Sequence, residues 1–251
     1  MQSKSRSDII SRLVSPASKS RPRNSEGAVI VLKNGALLVA YTEFSSGWDI
    51  FSGQGLEHVA ARVCGKISSD GGKTWGRKFI LAQTQEGLRS AVTPSFLRLN
   101  DGRIMFGHNK MVSLGDARYF VRFSADEGKS WSNEIRVIDR PEYGFVYNFG
   151  PIQLKSDRIL APYGFSPDYR KDKHFRVKVY YSDDGGQNWK HSSSVTDLPK
   201  RGAMDPGVVE LKDGSILMYM RTQLGRIYKC YSYDQGLTWN HPEPSSIRQR
   251  S

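Results

Sequence analysis

The octet Ser68-Ser-Asp-Gly-Gly-Lys-Thr-Trp75 decides the fold of this chain, because close copies of it return three times. The copies run from Ser124 to Trp131, from Ser182 to Trp189 and from Ser232 to Trp239. All four follow the pattern Ser-x-Asp-x-Gly-x-(Thr/Ser/Asn)-Trp. A motif that recurs at near-regular intervals indicates an architecture built from one repeated supersecondary unit.

A second pattern runs in phase with the octet and predicts β-hairpins. Each copy is an alternating apolar run, a turn rich in Asn, Asp or Gly, and a second apolar run, which is a strong hairpin signal. The hairpins are predicted at Val29 to Leu38, Ser95 to Met105, Pro151 to Leu160 and Val208 to Leu217. A third strand is predicted before each octet, at Val59–Ile67, Tyr119–Phe123, Arg176–Tyr181 and Arg226–Tyr231. Three or four strands in each of four repeats predict an all-β fold, a β-propeller.

The residues of the octet suit a structural turn. Its aspartate can accept hydrogen bonds from backbone N–H groups across the turn, and its glycine can adopt the positive φ that the turn requires. The tryptophan is expected to be buried between neighbouring blades, at an equivalent position in each repeat. We therefore assign the octet to the scaffold and expect its aspartates to make no contact with a substrate.

The composition excludes several classes of protein. The 251 residues contain two cysteines and five histidines with no metal-binding cluster, so we predict neither a disulfide framework nor a metal or cofactor. No apolar run reaches the roughly 20 residues that span a bilayer, and the polar N-terminus lacks the apolar core of a secretory signal. These features favour a cytoplasmic protein.

The net charge of +12 favours an anionic partner. The basic residues are scattered and do not cluster with aromatic residues, so a nucleic acid is an unlikely partner. Six of them fall within the first 23 residues, which contain one aspartate. We predict a flexible basic segment over residues 1–22, a propeller domain with four repeats over residues 23–245 and a tail over residues 246–251.

The octets and the hairpins together resemble the Asp-box (bacterial neuraminidase repeat) proteins, and among them the sialidase family. The resemblance extends from about Arg23 to Trp239. It implies a propeller of the six-bladed sialidase type, of which about four blades are present here. It also implies hydrolysis of a terminal sialic acid or related acidic sugar.

Sialidases hold the sugar carboxylate with three arginines, use an aspartate as acid/base and use a tyrosine supported by a glutamate as nucleophile. A carboxylate nucleophile would be repelled by the sugar carboxylate.

The resemblance implies roles for particular residues at the start of the chain. Arg23 resembles the arginine that precedes the first strand, and would bind the sugar carboxylate. Asp49 stands at the position of the acid/base aspartate. Glu43 or Phe44 occupies the position of a second family arginine, which is a departure from the pattern.

The fourth repeat gives the best match. Asp205 stands where the family has the glutamate that supports the tyrosine, and Arg221 stands at a carboxylate-binding arginine. Asn148, and the pair His108-Asn109, are placed in loops that would line a central pocket. Hydrogen-bonded turn residues are the alternative for these three, and a surface position at a strand end is the alternative for Arg221.

The third arginine and the nucleophilic tyrosine have no match, because no tyrosine follows the fourth octet. We therefore expect a truncated relative, or a propeller that closes with four blades or through another subunit. The predicted function is a sialidase-like glycoside hydrolase with little or no turnover. The alternative is a non-catalytic propeller that binds a carbohydrate or a protein, and a basic nucleic-acid-binding propeller ranks last.

Overall fold

The computed structural model describes residues 11–45, 60–84, 90–113 and 115–249, and every regular element among them is a β-strand. The strands form four consecutive units. Unit 1 contains β1 (Arg23–Val31), β2 (Leu37–Phe44), β3 (Ala61–Ser68) and β4 (Phe79–Ala82). Unit 2 contains β5 (Ser90–Arg98), β6 (Ile104–Ser113), β7 (Asp116–Ser124) and β8 (Ile135–Arg136). Unit 3 contains β9 (Tyr143–Phe145), β10 (Ile152–Gln153), β11 (Ile159–Ser166), β12 (Arg176–Ser182) and β13 (Lys190–His191). Unit 4 contains β14 (Met204–Glu210), β15 (Ile216–Arg221), β16 (Arg226–Ser232) and β17 (Glu243–Arg248).

Antiparallel pairing connects successive strands within each unit, with β9 and β10 both pairing with β11. The four predicted hairpins and the four predicted third strands are thereby confirmed. Units 1 and 2 belong to one sheet because Ala61 pairs in parallel with Ser90. None of the sheets formed by the described residues closes on itself. No helix among the described residues is long and apolar enough to cross a membrane.

The Asp-box octets form the turns that the sequence predicts. In the second octet, Asp126 Oδ1 accepts the backbone N–H of Ser130 at 2.9 Å and the hydroxyl of Ser124 at 2.8 Å. The same hydroxyl accepts the N–H of Gly128 at 2.8 Å, and Gly128 has a φ of 81°. The other three octets repeat these hydrogen bonds around Asp70, Asp184 and Asp234. The structural role assigned to the aspartate and the glycine is therefore confirmed.

The apolar core lies between consecutive units. Between units 2 and 3, Tyr119 and Val121 pack in one cluster with Tyr163 and Tyr180. A second cluster joins unit 3 to unit 4, and two smaller clusters join unit 1 to unit 2. Burial of these apolar faces is the main favourable term that holds the units together.

Three of the four octet tryptophans pack against these clusters, and none of the four is fully buried, which corrects the prediction. Trp131 lies against the rings of Phe96 and Phe106, with centroid distances of 6.4 and 5.5 Å. Trp189 packs on the cluster between units 2 and 3 and Trp239 on the cluster between units 3 and 4. All four tryptophans keep part of their surface in solvent, because the octet turns lie at the edge of each core.

Candidate functional site

The first strand of each unit is irregular at the same place. The pairing register shifts between Ser25 and Ala28 in β1, between Val92 and Ser95 in β5 and between Met204 and Gly207 in β14. In unit 3 the irregularity is larger, because residues 146–151 separate β9 from β10. β-Bulges re-aim side chains and are common beside functional sites.

Each irregularity contains a residue in the left-handed region of backbone space. These residues are Glu26 (φ 56°), Thr93 (57°), Gly150 (66°) and Asp205 (47°). Three of the four are not glycine, so their backbone is strained, and such strain persists where the surrounding structure imposes it. The four irregularities therefore mark one place in the fold where side chains are held in unusual directions.

These bulges surround a cavity of about 200 Å³ to which all four units contribute. Its lining is Glu26 from unit 1, Thr93 from unit 2, Tyr143, Phe145, Tyr147, Asn148, Tyr169 and Phe175 from unit 3, and Arg201, Met204, Asp205 and Arg221 from unit 4. We call it the central cavity. No three His, Cys, Asp or Glu side chains of the described part of the chain come close enough together to hold a metal ion.

Unit 4 supplies two arginines and a carboxylate. Arg221 Nε lies 2.8 Å from Asp205 Oδ2, because Arg221 is paired across the hairpin with Met204, the neighbour of Asp205. The Nε atom of Arg201 is buried and has no hydrogen-bond partner in the described structure. A buried donor without a partner loses the free energy of a hydrogen bond, which a ligand in the cavity could supply.

Gly202 fixes the position of Arg201. A Cβ atom at Gly202 would lie 1.9 Å from the carbonyl oxygen of Phe175, and its φ is +82°. Glycine therefore allows this segment to lie directly against Phe175, whose N–H donates to the Arg201 carbonyl at 2.9 Å. The guanidinium of Arg201 lies 5.6 Å from the centroid of the Phe175 ring.

A tyrosine from unit 3 meets the carboxylate of unit 4. Tyr147 and Asp205 both line the cavity and lie close enough to influence each other's titration. Burial raises the pKa of Tyr147 well above its usual range, and the charge of Asp205 raises it further. Burial also raises the pKa of Asp205, although the charge of Arg221 and the nearby Tyr147 hydroxyl act in the opposite direction. A carboxyl group with a raised pKa beside a cavity is suited to proton transfer.

Aromatic rings form the unit 3 wall of the cavity. Tyr143 stacks on Tyr169 with ring centroids 4.0 Å apart, and it meets Phe145 edge to face at 5.2 Å. Phe175 lies edge-on to both tyrosines, with centroid distances of 6.1 and 5.7 Å. The cavity therefore has one apolar, aromatic wall and one wall that bears charges, which is the usual composition of a small-molecule site.

Units 1 and 2 complete the cavity through hydrogen bonds between their bulges. The hydroxyl of Thr42, on β2, donates to Glu26 Oε2 at 3.0 Å and accepts the backbone N–H of Thr93 at 3.0 Å. Thr42 is fully buried. These bonds hold the Glu26 carboxylate beside Thr93, so the cavity contains a second carboxylate in addition to Asp205.

The structure brings three of the predicted site residues together at the central cavity: Asn148, Asp205 and Arg221. Arg23 is not among the lining residues, and its guanidinium lies 4.7 Å from the centroid of the Phe44 ring. The role of Arg23 stays a prediction. Asp49 lies outside the described residues.

The pair His108-Asn109 lies away from the cavity, among buried residues. Asn109 instead connects unit 2 to unit 3, since its amide donates to the Val146 carbonyl at 2.8 Å and accepts the Val146 N–H at 3.1 Å. Asn109 is therefore a hydrogen-bonded residue, but it lies within strand β6 and not in the turn or pocket loop that the sequence suggested.

Three residues of the cavity were missed from the sequence: Glu26, Tyr147 and Arg201. Glu26 lies three residues after Arg23 and directly before a glycine, and Tyr147 precedes Asn148. Arg201 precedes Gly202, a few residues before Asp205. A polar residue beside a glycine, near the start of a predicted first strand, is the signal that could have found Glu26 and Arg201.

Comparison with known families supports the repeat assignment. A family profile described as a BNR repeat-like domain matches residues 62–251. This range includes the whole of units 2, 3 and 4 and the third strand of unit 1.

Individual relatives agree with this family. The chain is 32% identical over 149 residues to an anhydrosialidase of Macrobdella decora, a match that covers 56% of this chain and 19% of that protein. It is 24% identical over 248 residues to a sialidase of Bacteroides fragilis, covering 86% of this chain and 43% of that protein. The chain thus spans less than half the length of either relative.

A solved structure of a leech intramolecular trans-sialidase, complexed with 2,7-anhydro-Neu5Ac, superposes with a TM-score of 0.71. The superposition covers 96% of this chain and 54% of that chain, at 15% sequence identity. At this identity the likeness concerns the fold.

Proposed function

Since the chain belongs to the BNR repeat-like domain family, we propose that its central cavity is the sugar site of a sialidase-like glycoside hydrolase. In this proposal the four units are blades of a sialidase-type propeller, and the ligand is a sialic acid or a related acidic sugar. The observation that carries the proposal is the convergence of Arg201, Arg221 and the neighbouring side chains Tyr147 and Asp205 on one cavity.

The two arginines are suited to the carboxylate of the sugar. A guanidinium presents N–H groups in a planar fork that matches a carboxylate in geometry and charge. Among the described residues, Arg201 Nε is buried and has no hydrogen-bond partner. Arg221 uses its Nε on Asp205, and the hydrogen bond recorded for its Nη2 goes to the sulfur of Met204, at 3.8 Å. The guanidinium of Arg221 can therefore bind a ligand while it stays paired with Asp205. The aromatic wall would cover the apolar face of the sugar ring.

Tyr147 and Asp205 are suited to the covalent step. In the proposed reaction the Tyr147 oxygen attacks the anomeric carbon as the bond to the leaving oxygen breaks. Asp205 accepts the tyrosine proton, and Asp49 protonates the leaving oxygen in the role that the sequence suggests. Water then releases the sugar from the tyrosine. A tyrosine serves here because a carboxylate nucleophile would be repelled by the acidic sugar.

A non-catalytic module that binds acidic sugars is the second candidate. It is favoured by the raised pKa of Tyr147, which disfavours the nucleophilic phenolate. Both candidates place the sugar carboxylate on Arg201 and Arg221. They differ in turnover.

Calorimetry with N-acetylneuraminic acid and with its 2,3-dehydro analogue tests the binding step. Each arginine contributes roughly 1.5–3 kcal/mol as a charge-assisted donor, so we expect Arg201→Ala and Arg221→Ala each to weaken binding about tenfold or more. Arg136→Ala removes an exposed arginine on β8, outside the cavity, and serves as the matched control. Binding that is absent in the wild type, or equal in all variants, would contradict the sugar site.

Release of a fluorophore from a 4-methylumbelliferyl sialoside then separates the two candidates. The hydrolase predicts turnover that Tyr147→Phe abolishes while calorimetric binding is retained. Binding without turnover in the wild type identifies the non-catalytic module. Turnover that survives in Tyr147→Phe would show that the nucleophile lies elsewhere.

A further inference from the structure

A second concave site lies on unit 1, apart from the central cavity. It has a volume of about 800 Å³ and is bounded by the N-terminal segment that contains Ser15 to Arg21, by the end of β2, by β3 and by Gly76 to Lys78. We call it the basic cleft. It shares no lining residue with the central cavity. The two sites are separated by the alternation of β2, in which Thr42 faces the cavity and its neighbour Glu43 faces the cleft.

The charge of the cleft is strongly one-sided. Five cationic side chains line it, and among the described residues a single carboxylate, Glu43, opposes them. The cations are Arg21, Arg62, Lys66, Arg77 and Lys78. They come from three separate segments of the chain, so the cluster exists only in the folded structure.

Glu43 is already occupied by two of these cations. Its Oε1 lies 2.5 Å from Lys78 Nζ and its Oε2 lies 2.6 Å from Arg62 Nη2. Burial acts to raise the pKa of Glu43, but the bonds from Lys78 and Arg62 outweigh burial and hold that pKa below its usual range. Glu43 is therefore ionised at neutral pH and fixes these two side chains at the floor of the cleft. It cannot neutralise the remaining three cations.

Of the other three cations, Lys66 and Arg77 have no ion pair among the described residues, and Arg21 makes only a long one. Lys66 Nζ donates to the carbonyl of Val14 at 2.7 Å, which satisfies a hydrogen bond but does not compensate its charge. Arg21 Nε is 3.7 Å from Glu43, farther than Arg62 and Lys78. An ionised group in a concave site is strongly attracted to a counter-ion, because water is partly excluded there.

The N-terminal wall of the cleft is attached to unit 1. The Asn24 amide donates to the carbonyls of Ser15 and Pro16 at 3.2 and 3.3 Å, in addition to the bond from Lys66 to Val14. This wall contributes Ser15, Ser18 and Ser20 to the lining of the cleft. Hydroxyl donors beside guanidinium and ammonium groups are the usual ligands of tetrahedral oxyanions.

We propose that the basic cleft binds a ligand that carries a sulfate or phosphate ester. Its volume is that of a small-molecule site, so it can hold a sugar-sized group together with the oxyanion. A sulfated sugar and a phosphorylated sugar share this chemistry and are the two sources to be distinguished. The proposal does not depend on the function proposed for the central cavity.

Calorimetry with glucose 6-sulfate, glucose 6-phosphate and unmodified glucose tests the proposal, with ionic strength held constant. We expect one or both esters to bind and glucose to show no binding. Arg77→Ala and Lys66→Met should each weaken ester binding roughly tenfold, as loss of one charge-assisted contact does. The control variants are Arg136→Ala, on the exposed edge of unit 2, and Arg201→Ala, in the central cavity, and both should bind the ester as the wild type does.

Three results would overturn the proposal. One is equal loss in the Arg136→Ala control, which would mean binding to net charge alone. Another is loss in Arg201→Ala but not in Arg77→Ala, which would place the ester in the central cavity. The third is displacement of the ester by a short single-stranded DNA that binds more tightly, which would identify a nucleic-acid surface instead. Circular dichroism of each variant establishes that it is folded before binding is measured.

Discussion

Two glycines at turns of this chain allow the backbone cost of replacing a glycine to be measured apart from the steric cost. Gly186, in the third octet, has a φ of +91°, and a Cβ atom there would lie 2.5 Å from the buried ring of Phe123. Gly214, in the hairpin of unit 4, has a nearly equal φ of +85° and nothing within 4 Å of its Cβ position. Both positions therefore require a positive φ, but only Gly214 has space for a Cβ atom.

Gly214→Ala is therefore expected to destabilise the fold by about 1 kcal/mol, the cost of an L-residue in the left-handed region. Gly186→Ala is expected to cost about 1–3 kcal/mol more, because the buried Phe123 ring must move. Urea titration of both variants measures the two free energies of unfolding. If the variants were equally stable, the turn would tolerate the added methyl group and the close contact would carry no energy.

At the scale of the element, each Asp box is a turn held by an ionised carboxylate. The Ser130 hydroxyl, the Ser130 N–H and the Ser124 hydroxyl lower the pKa of Asp126 to about 2. For Asp184, burial acts in the opposite direction, but the N–H and amide of Asn188 and the hydroxyl of Ser182 lower the pKa to about 2. A carboxyl group whose folded-state pKa is depressed stabilises the folded state above its unfolded pKa, near 4, and loses that contribution as the pH falls through 2.

We therefore expect the free energy of unfolding to fall steeply between pH 4 and pH 2. Asp184→Asn removes one of the titrating groups, so this variant should be less stable than the wild type at pH 7 and should lose less stability on acidification. Urea titrations at pH 7, 4, 3 and 2 give both quantities. A variant with the same acid-induced loss as the wild type would show that Asp184 contributes nothing to the acid sensitivity.

For the whole molecule, the reactivity of the two cysteines measures the unfolding of the first and the last unit. Cys64 lies in unit 1 and Cys230 in unit 4, and both are buried free thiols. Burial raises the pKa of Cys64 to about 11 and that of Cys230 to about 12. Since the thiolate is the reactive form, neither side chain should react in the folded protein at neutral pH.

We expect Ellman's reagent to detect no thiol in native buffer and both thiols in denaturant, with the two reacting over the same urea range. The shared range follows from the clusters that join each unit to the next, because unfolding one unit exposes the apolar face of its neighbour. Cys64→Ala and Cys230→Ala report on the remaining thiol alone. Reaction of Cys230 at lower urea than Cys64 would show that unit 4 opens independently.

The repeat, the hairpins, the third strands and the turn chemistry of the Asp boxes could all be predicted from the amino-acid sequence. These features depend on contacts between residues that are close in sequence. Their residue types and spacing can therefore be recognised in the sequence. Asp205 and Arg221 were assigned to the site through the family resemblance of the fourth repeat, and the register of the hairpin that contains both explains why they form an ion pair.

The side chains that meet from different units could be identified only once the three-dimensional packing of the units was known. The central cavity joins Glu26, Tyr147 and Arg201 to Asp205, and the basic cleft joins Arg21 and Lys78 to β3. Glu26, Tyr147 and Asp205 lie in three different units and share no spacing, and Arg21 lies in the N-terminal segment, far from β3 in sequence. Their meeting depends on how the apolar faces of consecutive units pack and on where the first strands bulge, and such non-local packing leaves no periodic signal along the chain.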